Sequence, residues 1–177
     1  MIELRKISIL DDNMKECIEL DFLPEQAGFV ADNSVSLAEA YDTNKAYAET
    51  GKGDIAVPYA AYENEKMVGF AMYGYFPPGD EDDDGVYCTK EHHYYFWRLL
   101  VDKNHQGRGI GRGIVRQIMD EIKTKPCGPA DYCYVSYEPT NIASKTTFAS
   151  YGFEEDGRVF DGETVARIRI NFTHPLT

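Results

Sequence analysis

The chain has 177 residues, of which 43% are hydrophobic and 13% aromatic, a composition typical of one globular domain with a sizeable core. Its formal net charge of −12 argues against nucleic acid as a partner, because nucleic acid favours a basic surface. No apolar run approaches the roughly 18 residues of a membrane span, and the N-terminus lacks a signal-peptide layout. We therefore expect a single domain over residues 1–177, cytoplasmic and without a membrane partner.

Hydrophobic alternation and breaker residues predict seven strands and four helices in mixed order. The predicted strands are Ile2–Ile9, Ile55–Tyr62, Met67–Phe76, Val86–Val101, Tyr132–Tyr137, Phe153–Val159 and Thr164–Asn171. The predicted helices run from Asp11 or Asp12 to about Phe22, from Ser34 or Ser36 through Tyr47 with an end near Gly51–Gly53, from the glycine loop at 106–111 to Lys125, and over Thr140–Ser150. Short turns such as Asp161-Gly162 join neighbouring strands, so the sheet should be mostly antiparallel, and the long Val86–Val101 strand should be kinked or bulged. The expected class is α+β.

The most informative segment is a glycine-rich loop, residues 106–111, between the end of a buried strand and an amphipathic helix. Its sequence is Gln-Gly-Arg-Gly-Ile-Gly, and apolar residues at helical spacing follow it: Val115, Ile118, Met119 and Ile122. Glycines let a ligand approach the backbone closely, and the first helical turn offers N–H groups and a positive dipole end. The loop therefore predicts a diphosphate site, against the simpler alternative of a helix start that binds nothing.

Two familiar phosphate loops do not fit this segment. A P-loop needs a Gly-Lys pair followed by Ser or Thr, which this segment lacks. A Rossmann turn needs Gly-x-Gly-x-x-Gly, and when the motif is aligned on Gly107 its third glycine position is occupied by Arg112. The pattern Gln/Arg-x-x-Gly-x-Gly/Ala is matched by Gln106, Gly109 and Gly111. It resembles the acetyl-CoA loop of the GNAT N-acetyltransferase superfamily.

The resemblance extends over nearly the whole chain. Residues 141–153, NIASKTTFASYGF, are similar to the late segment of the same superfamily. Residues 29–41, 68–76 and 160–165 resemble a subgroup, the bacterial diamine and polyamine (spermine/spermidine) acetyltransferases. The resemblance implies a mixed sheet splayed around CoA and direct transfer of an acetyl group from acetyl-CoA, without a covalent enzyme intermediate. We expect no metal cofactor. It also implies these cofactor-binding residues: Leu99, Leu100, Val101, Gln106, Gly107, Arg108, Gly109, Ile110, Gly111, Arg112, Asn141 and Phe148.

The chain departs from the family at Phe148, where relatives carry the tyrosine that protonates the departing CoA sulfur. Phenylalanine cannot donate a proton, although a thiol pKa near 8.5 makes thiolate a tolerable leaving group. Tyr134, Tyr137 or Tyr151 are candidate substitutes. An alkyl ammonium group, with a pKa near 10.4, must lose a proton before it attacks. The candidate bases are Glu25, Asp32, Glu91, His92 and His93.

The acceptor side is expected to contain Gln26 and Phe29, which match the polyamine subgroup, together with aromatic side chains able to hold ammonium groups by cation–π contact. These are Tyr73, Tyr75, Tyr94, Tyr95 and Trp97. A core role for the aromatic stripe is the alternative.

An acidic stretch at residues 80–85 matches the letters of an EF-hand calcium loop, with Asp80, Asp82, Asp84 and Glu91 at the ligand positions. Flanking helices are not predicted, so we favour a solvated loop or a collector for a polyamine's ammonium groups over a metal site. The four cysteines, at 17, 88, 127 and 133, have no metal-binding or disulfide spacing.

Charge is distributed unevenly along the chain. Residues 98–125 carry a net charge of +4, so the remainder carries −16. A basic loop in an acidic body suits an anionic cofactor and a cationic co-substrate. Three functions stay open: a polyamine acetyltransferase, an acetyltransferase for an antibiotic, an amino acid or a protein N-terminus, and a CoA-binding sensor without catalysis. A homodimer is a further expectation.

Overall fold

A computed structural model describes residues 1–8, 12–78 and 90–171 of the chain. The described residues form a seven-stranded sheet with four helices. The strands are β1 (Ile2–Lys6), β2 (Ile55–Glu63), β3 (Lys66–Phe76), β4 (His93–Val101), β5 (Tyr132–Tyr137), β6 (Glu154–Phe160) and β7 (Glu163–Arg169). The helices are α1 (Asn13–Ile18), α2 (Asn33–Thr50), α3 (Ile110–Ile122) and α4 (Ile142–Tyr151), with a 3₁₀ turn at Pro24–Gln26.

The sheet is mixed and mostly antiparallel, as the sequence predicts. Its strand order is β1-β2-β3-β4-β5-β7-β6, and the β4–β5 pair is parallel. Helices α3 and α4 cover one face with the larger apolar core, while α1 and α2 pack on the other face. Within the described ranges, no helix is long and apolar enough to cross a bilayer.

Helix α3 anchors the larger core through its apolar stripe. The predicted core positions Val115, Ile118, Met119 and Ile122 are all fully buried, and so is Ile114, one turn before Ile118. Burying a side chain of this size contributes about 1.5–3 kcal/mol. Because the stripe fixes the rotation of the helix, it also fixes the direction in which the first turn of α3 presents its N–H groups.

The sheet opens between its two central strands. Among the described residues, β4 and β5 pair at Tyr94 with Cys133 and at Tyr95 with Tyr134, and the strands diverge beyond this point. On the other side of β4, the register with β3 shifts so that Tyr73 faces Phe96 and Met72 faces Arg98. Trp97 is the extra residue of a β-bulge, which confirms the expected irregularity and bends the strand away from β5.

Some element boundaries differ from the predicted ones and others agree. Helix α2 extends to Thr50 and is capped by Gly51 in the αL conformation, in agreement with the predicted end near Gly51–Gly53. Helix α1 ends at Ile18 rather than near Phe22, and its buried side chains are only Asn13 and Cys17. The turn at Asp161-Gly162 has the predicted form, with both residues at positive φ. The acidic stretch with Asp80, Asp82 and Asp84 lies outside the described residues, as do positions 86–89 of the predicted long strand.

Candidate active site

A cavity of about 840 Å³ occupies the opening between β4 and β5. At one end it is lined by the loop that leads into α3 and by the start of α4. At the other end it is lined by the segment before α2 and by side chains of β4, β5 and β7. We call these the loop end and the strand end. All the predicted cofactor residues except Arg108, and part of the predicted acceptor residues, therefore share one continuous space.

The loop end is built to receive an anion. Gly109 caps α3 with φ 79° and supplies no side-chain cap, so N–H groups of the first turn have no partner within the helix. Gly107 also has positive φ, at 75°, and a Cβ added to either glycine would meet no protein atom within 4 Å. Arg112 lies on the same lining and adds positive charge. Backbone donors, a helix dipole and open space beside two glycines fit a diphosphate group.

The edge of β4 offers main-chain groups along the cavity. The Asp102 N–H donates to Val68 O on β3 at 3.0 Å. Because consecutive residues of a strand point their N–H and C=O groups to opposite edges, those of Leu99 and Val101 face the opening. The strand from Phe96 to Val101 spans roughly 17 Å at about 3.3 Å per residue. An extended pantetheine arm can lie along such an edge as an added strand.

Two glutamines join the loop to the segment before α2. The Gln106 side-chain N–H₂ donates to Val101 O at 3.0 Å and to Gln26 Oε1 at 2.8 Å. The Gln26 amide nitrogen also lies 3.2 Å from Gln106 Oε1. Gln26, predicted to contact the acceptor, is thus engaged with the cofactor loop. Its role in the structure is to hold the 3₁₀ turn against that loop.

The Arg108 side chain turns away from the cavity. Its guanidinium is 2.6 Å from Glu63 Oε2 and 3.1 Å from His105 Nδ1, and Arg108 does not line the cavity among the described residues. Any contact of Arg108 with a diphosphate would therefore come from its main-chain N–H. Leu100 lines the cavity, but its side chain packs into the core on the α1–α2 face.

Helix α4 contributes Asn141 and Phe148 to the lining. Asn141 caps α4, with its side-chain oxygen accepting from Ser144 N at 3.0 Å, so its amide nitrogen is the group that can reach a ligand. Phe148 is 3% exposed and packs edge-on against Phe96, with ring centroids 5.0 Å apart. The Tyr137 ring lies nearly parallel to Phe148 at 6.5 Å. Tyr137 also lines the cavity, and it is the tyrosine nearest to the missing acid position among the candidates.

Tyr137 is poorly suited to donate a proton to sulfur. Its hydroxyl donates to Glu155 Oε1 at 3.2 Å, and burial, with the Glu155 charge, raises the pKa of Tyr137 to about 12. Tyr134 and Tyr151 do not line the cavity. Tyr151 lies in the core below α4, with the Lys123 ammonium 5.6 Å from its ring centre.

The strand end combines aromatic rings with a carboxylate. Tyr95 and Trp97 line it, on the face of the sheet away from α3. The Tyr95 hydroxyl lies 2.8 Å from Ser136 Oγ, and Ser136 Oγ donates to Glu163 Oε2. Arg98 also lines this end, but it forms an ion pair with Glu39 of α2 at 3.0 Å. Because Glu39 neutralises the charge of Arg98, the Glu163 carboxylate leaves the strand end with a net negative charge.

Most of the predicted catalytic candidates lie elsewhere. None of Glu25, Asp32, Glu91, His92 and His93 lines the cavity described here. His92 is exposed and stacks on Tyr75 at 5.2 Å. His93 is 1% exposed between Phe76 and Tyr134, and burial lowers the pKa of its imidazole to about 4. Its imidazole is therefore buried among aromatic rings and does not line the cavity.

The predicted aromatic groove is divided by strand alternation. Tyr73, Tyr75 and Tyr94 point toward α3 and belong to the larger core, whereas Tyr95 and Trp97 point into the strand end. Tyr73 is 1% exposed and its hydroxyl donates to Glu121 at 2.9 Å. This corrects the expectation that Tyr73 lines the acceptor site. Phe29, in contrast, does line the cavity.

The cavity residues that were absent from the candidates chosen from sequence include three polar side chains at the strand end: Arg98, Ser136 and Glu163. Ser136 interrupts an otherwise apolar and aromatic strand, which is a weak sign of a polar role. Glu163 directly follows the closing turn, in the segment that resembles the polyamine subgroup. Neither feature shows that β5 and β7 bring these side chains together beside Tyr95.

Fold and cavity together are those expected of an acyltransferase that uses a CoA thioester. The family model described as "Acetyltransferase (GNAT) family" matches residues 20–153, and the chain belongs to this family. It is an acetyl-CoA-dependent N-acetyltransferase.

Two relatives from Bacillus subtilis align over 160 residues, which are 89% of this chain and 93% of each relative. One, from strain 168, is a "Spermine/spermidine N(1)-acetyltransferase" and is 26% identical. The other, from subspecies natto strain BEST195, is a "Probable spermine N(1)-acetyltransferase" and is 27% identical.

Solved structures share the fold at low identity. Aminoglycoside acetyltransferase AAC(6')-Ib, in complex with coenzyme A and kanamycin, superposes with a TM-score of 0.64 at 18% identity, covering 96% of this chain and 95% of that one. The PaiA N-acetyltransferase from Thermoplasma acidophilum, in complex with coenzyme A, gives 0.57 at 14% identity, covering 96% and 99%.

Proposed function

We propose that this enzyme transfers the acetyl group of acetyl-CoA to a primary amine of a small polyamine or diamine. The observation that carries the proposal is the strand end of the cavity, where the Glu163 carboxylate lies with the rings of Tyr95 and Trp97. A carboxylate attracts an ammonium group, and aromatic faces add cation–π attraction of about 0.5–2 kcal/mol each.

The names and alignments of the two Bacillus relatives support the same acceptor class. The overall charge of −12 also favours a polyamine acceptor, since an acidic protein attracts a polycation over long range. This attraction weakens with salt, because the Debye length shortens to about 8 Å at physiological ionic strength. An uncharged or anionic acceptor would gain no attraction from the carboxylate and aromatic rings of the strand end, or from the net negative charge of the protein.

At the loop end, main-chain N–H groups from Gly107 to Arg112 would hold the diphosphate of acetyl-CoA. Leu99 and Val101 would pair with the pantetheine arm and direct it along β4 toward the bulge at Trp97. The co-substrate supplies the thioester, and a main-chain N–H of β4 would polarise its carbonyl. Together these contacts would hold the thioester carbonyl carbon where the loop end and the strand end of the cavity meet.

Departure of CoA would proceed without a dedicated acid. Phe148 offers no proton, and the Tyr137 hydroxyl is engaged by Glu155. With an ordinary thiol pKa near 8.5, the thiolate is stable enough to leave and to take its proton from solvent. We accordingly assign Phe148 a packing role beside the thioester.

Thiol release from acetyl-CoA, measured separately with each of several amines, tests this function. The panel consists of spermine, spermidine, putrescine, an aminoglycoside, amino acids and a peptide. We expect turnover with the polyamines to exceed that with the other amines by at least about tenfold in kcat/KM. Equal or faster turnover of the aminoglycoside, an amino acid or the peptide would contradict the proposed acceptor class.

A further inference from the structure

A chain of hydroxyl groups connects the apex of the split sheet to a carboxylate. Tyr95 on β4, Ser136 on β5 and Glu163 on β7 all line the cavity. The Tyr95 hydroxyl lies 2.8 Å from Ser136 Oγ, and Ser136 Oγ is hydrogen-bonded to Glu163 Oε2. Three strands thus place three polar groups in series on a surface otherwise rich in aromatic rings.

The direction of these hydrogen bonds follows from the number of protons available. An ionised carboxylate only accepts, so the single hydroxyl proton of Ser136 is directed at Glu163. The bond between Tyr95 and Ser136 must then be donated by Tyr95. The hydroxyl groups of Tyr95 and Ser136 therefore both donate in the direction of Glu163. Each hydroxyl oxygen can also accept a hydrogen bond while its proton is donated. A proton that arrives at Tyr95 can therefore pass to Glu163 by successive transfer along the two hydroxyls.

This series of hydroxyl groups begins at the point of the cavity where the reaction would occur. Tyr95 is the last residue of β4 paired with β5, and the strands diverge immediately after it. Cofactor bound from the loop end along β4 would bring its thioester toward this apex, while the amine enters from the strand end. An alkyl amine is protonated at neutral pH and cannot attack until it loses that proton.

We infer that Glu163 is the proton acceptor for the amine, with Ser136 and Tyr95 as the relay between them. This inference rests on the proposed function, since it assumes an amine acceptor in this cavity. The ammonium N–H bond breaks and its proton passes to Tyr95, as the Tyr95 proton moves to Ser136 and the Ser136 proton to Glu163. The nitrogen lone pair then forms the C–N bond, and the C–S bond breaks with its electrons on sulfur. A second nitrogen proton passes to water, and the CoA thiolate takes up a proton from water. The sum is RNH₃⁺ plus acetyl-CoA giving the acetamide, CoA thiol and one proton, which Glu163 releases to water.

The decisive variant is Glu163→Gln, which keeps the size of the side chain and removes its basicity. At saturating amine and neutral pH we expect kcat to fall by about a hundredfold, within the range of general-base contributions. The deficit should shrink as pH rises toward 10, since more amine then arrives already deprotonated. Asp161→Asn is the matched control, because it removes the same charge from the adjacent turn at an exposed position outside the cavity lining.

Tyr95→Phe and Ser136→Ala test the relay itself. Each should lower kcat by about the same factor as Glu163→Gln, and the Glu163→Gln/Tyr95→Phe double variant should fall little further, since groups acting as a unit are not additive. Acetyl-CoA affinity, measured by titration, should stay within about twofold in every variant and serves as the check on folding. If Glu163→Gln does not fold, Ser136→Ala carries the test.

Several results would overturn the inference. A rise in KM at unchanged kcat would make Glu163 an ammonium-binding group rather than a base. Full activity of both Tyr95→Phe and Ser136→Ala would remove the relay. These kinetics use whichever amine the wild-type enzyme acetylates fastest. If that amine is not a polyamine, the proposed acceptor class fails, but the proton path is still tested.

Discussion

Placing a carboxylate at Gly109 probes the diphosphate site at its most sensitive point. Gly109 lies at φ 79° and a Cβ there would meet no protein atom within 4 Å, so Gly109→Asp costs backbone strain but no clash. That strain is about 1 kcal/mol, which lowers Tm by about 2–4 °C in a protein of this size. For a carboxylate about 5 Å from the nearest phosphate, an effective dielectric constant near 20 gives about 3 kcal/mol of repulsion.

The expected consequence of Gly109→Asp is a Kd for CoA raised by about a hundredfold or more. Gly157→Asp on β6 is the matched control, because Gly157 has φ +84°, equally open surroundings and a position outside the cavity lining. Both variants should lose similar stability in thermal unfolding, and only Gly109→Asp should lose affinity in calorimetric titration. Unchanged affinity in Gly109→Asp, or an equal loss in both variants, would refute the placement of the diphosphate.

Three more predictions address the cavity and the core. Gln106→Leu removes the donor to Val101 O and should raise KM for acetyl-CoA about tenfold; an unchanged KM would show that the bond is dispensable. Phe148→Tyr should change kcat by less than about tenfold, since thiolate leaves unaided, and a hundredfold gain would show that an acid is limiting. Burial lowers the pKa of His93 from 6.5 to about 4, so the unfolded state takes up the proton first as pH falls below 6.5. Between pH 7 and 4.5 this linkage removes about 2–3 kcal/mol from the free energy of unfolding, and His93→Phe should abolish that part of the slope in urea denaturation.

The loop end could be predicted from sequence because its signals are local. Gly109 and the apolar stripe that follows it identify a helix start with exposed N–H groups, and both features lie within one short segment. The closing hairpin at Asp161-Gly162 could also be predicted from sequence, since a two-residue turn with positive φ has a characteristic composition. Such elements depend on neighbours in the chain.

The strand end could not be predicted because it depends on distant pairing. Tyr95, Ser136 and Glu163 meet only through the β4–β5 and β5–β7 pairings. Alternation places Tyr94 and Tyr95 on opposite faces, but sequence alone does not tell which face borders the opening. This is why Tyr73 was assigned to the acceptor site although its ring lies beneath α3. Likewise, Trp97 is recognisable as part of an irregular strand, while its place at the bulge follows only from the register with β3.

The acceptor class is tested most directly by competition in one vessel. Spermidine, kanamycin, an amino acid and a peptide would be mixed at equal concentrations with limiting acetyl-CoA, and the acetylated products quantified by mass spectrometry. Product ratios in such a mixture equal the ratios of kcat/KM, so they report specificity without separate kinetic fits. We predict that acetylspermidine dominates by at least about tenfold. A mixture dominated by acetylkanamycin, an acetylated amino acid or an acetylated peptide would contradict the assignment of the acceptor as a polyamine.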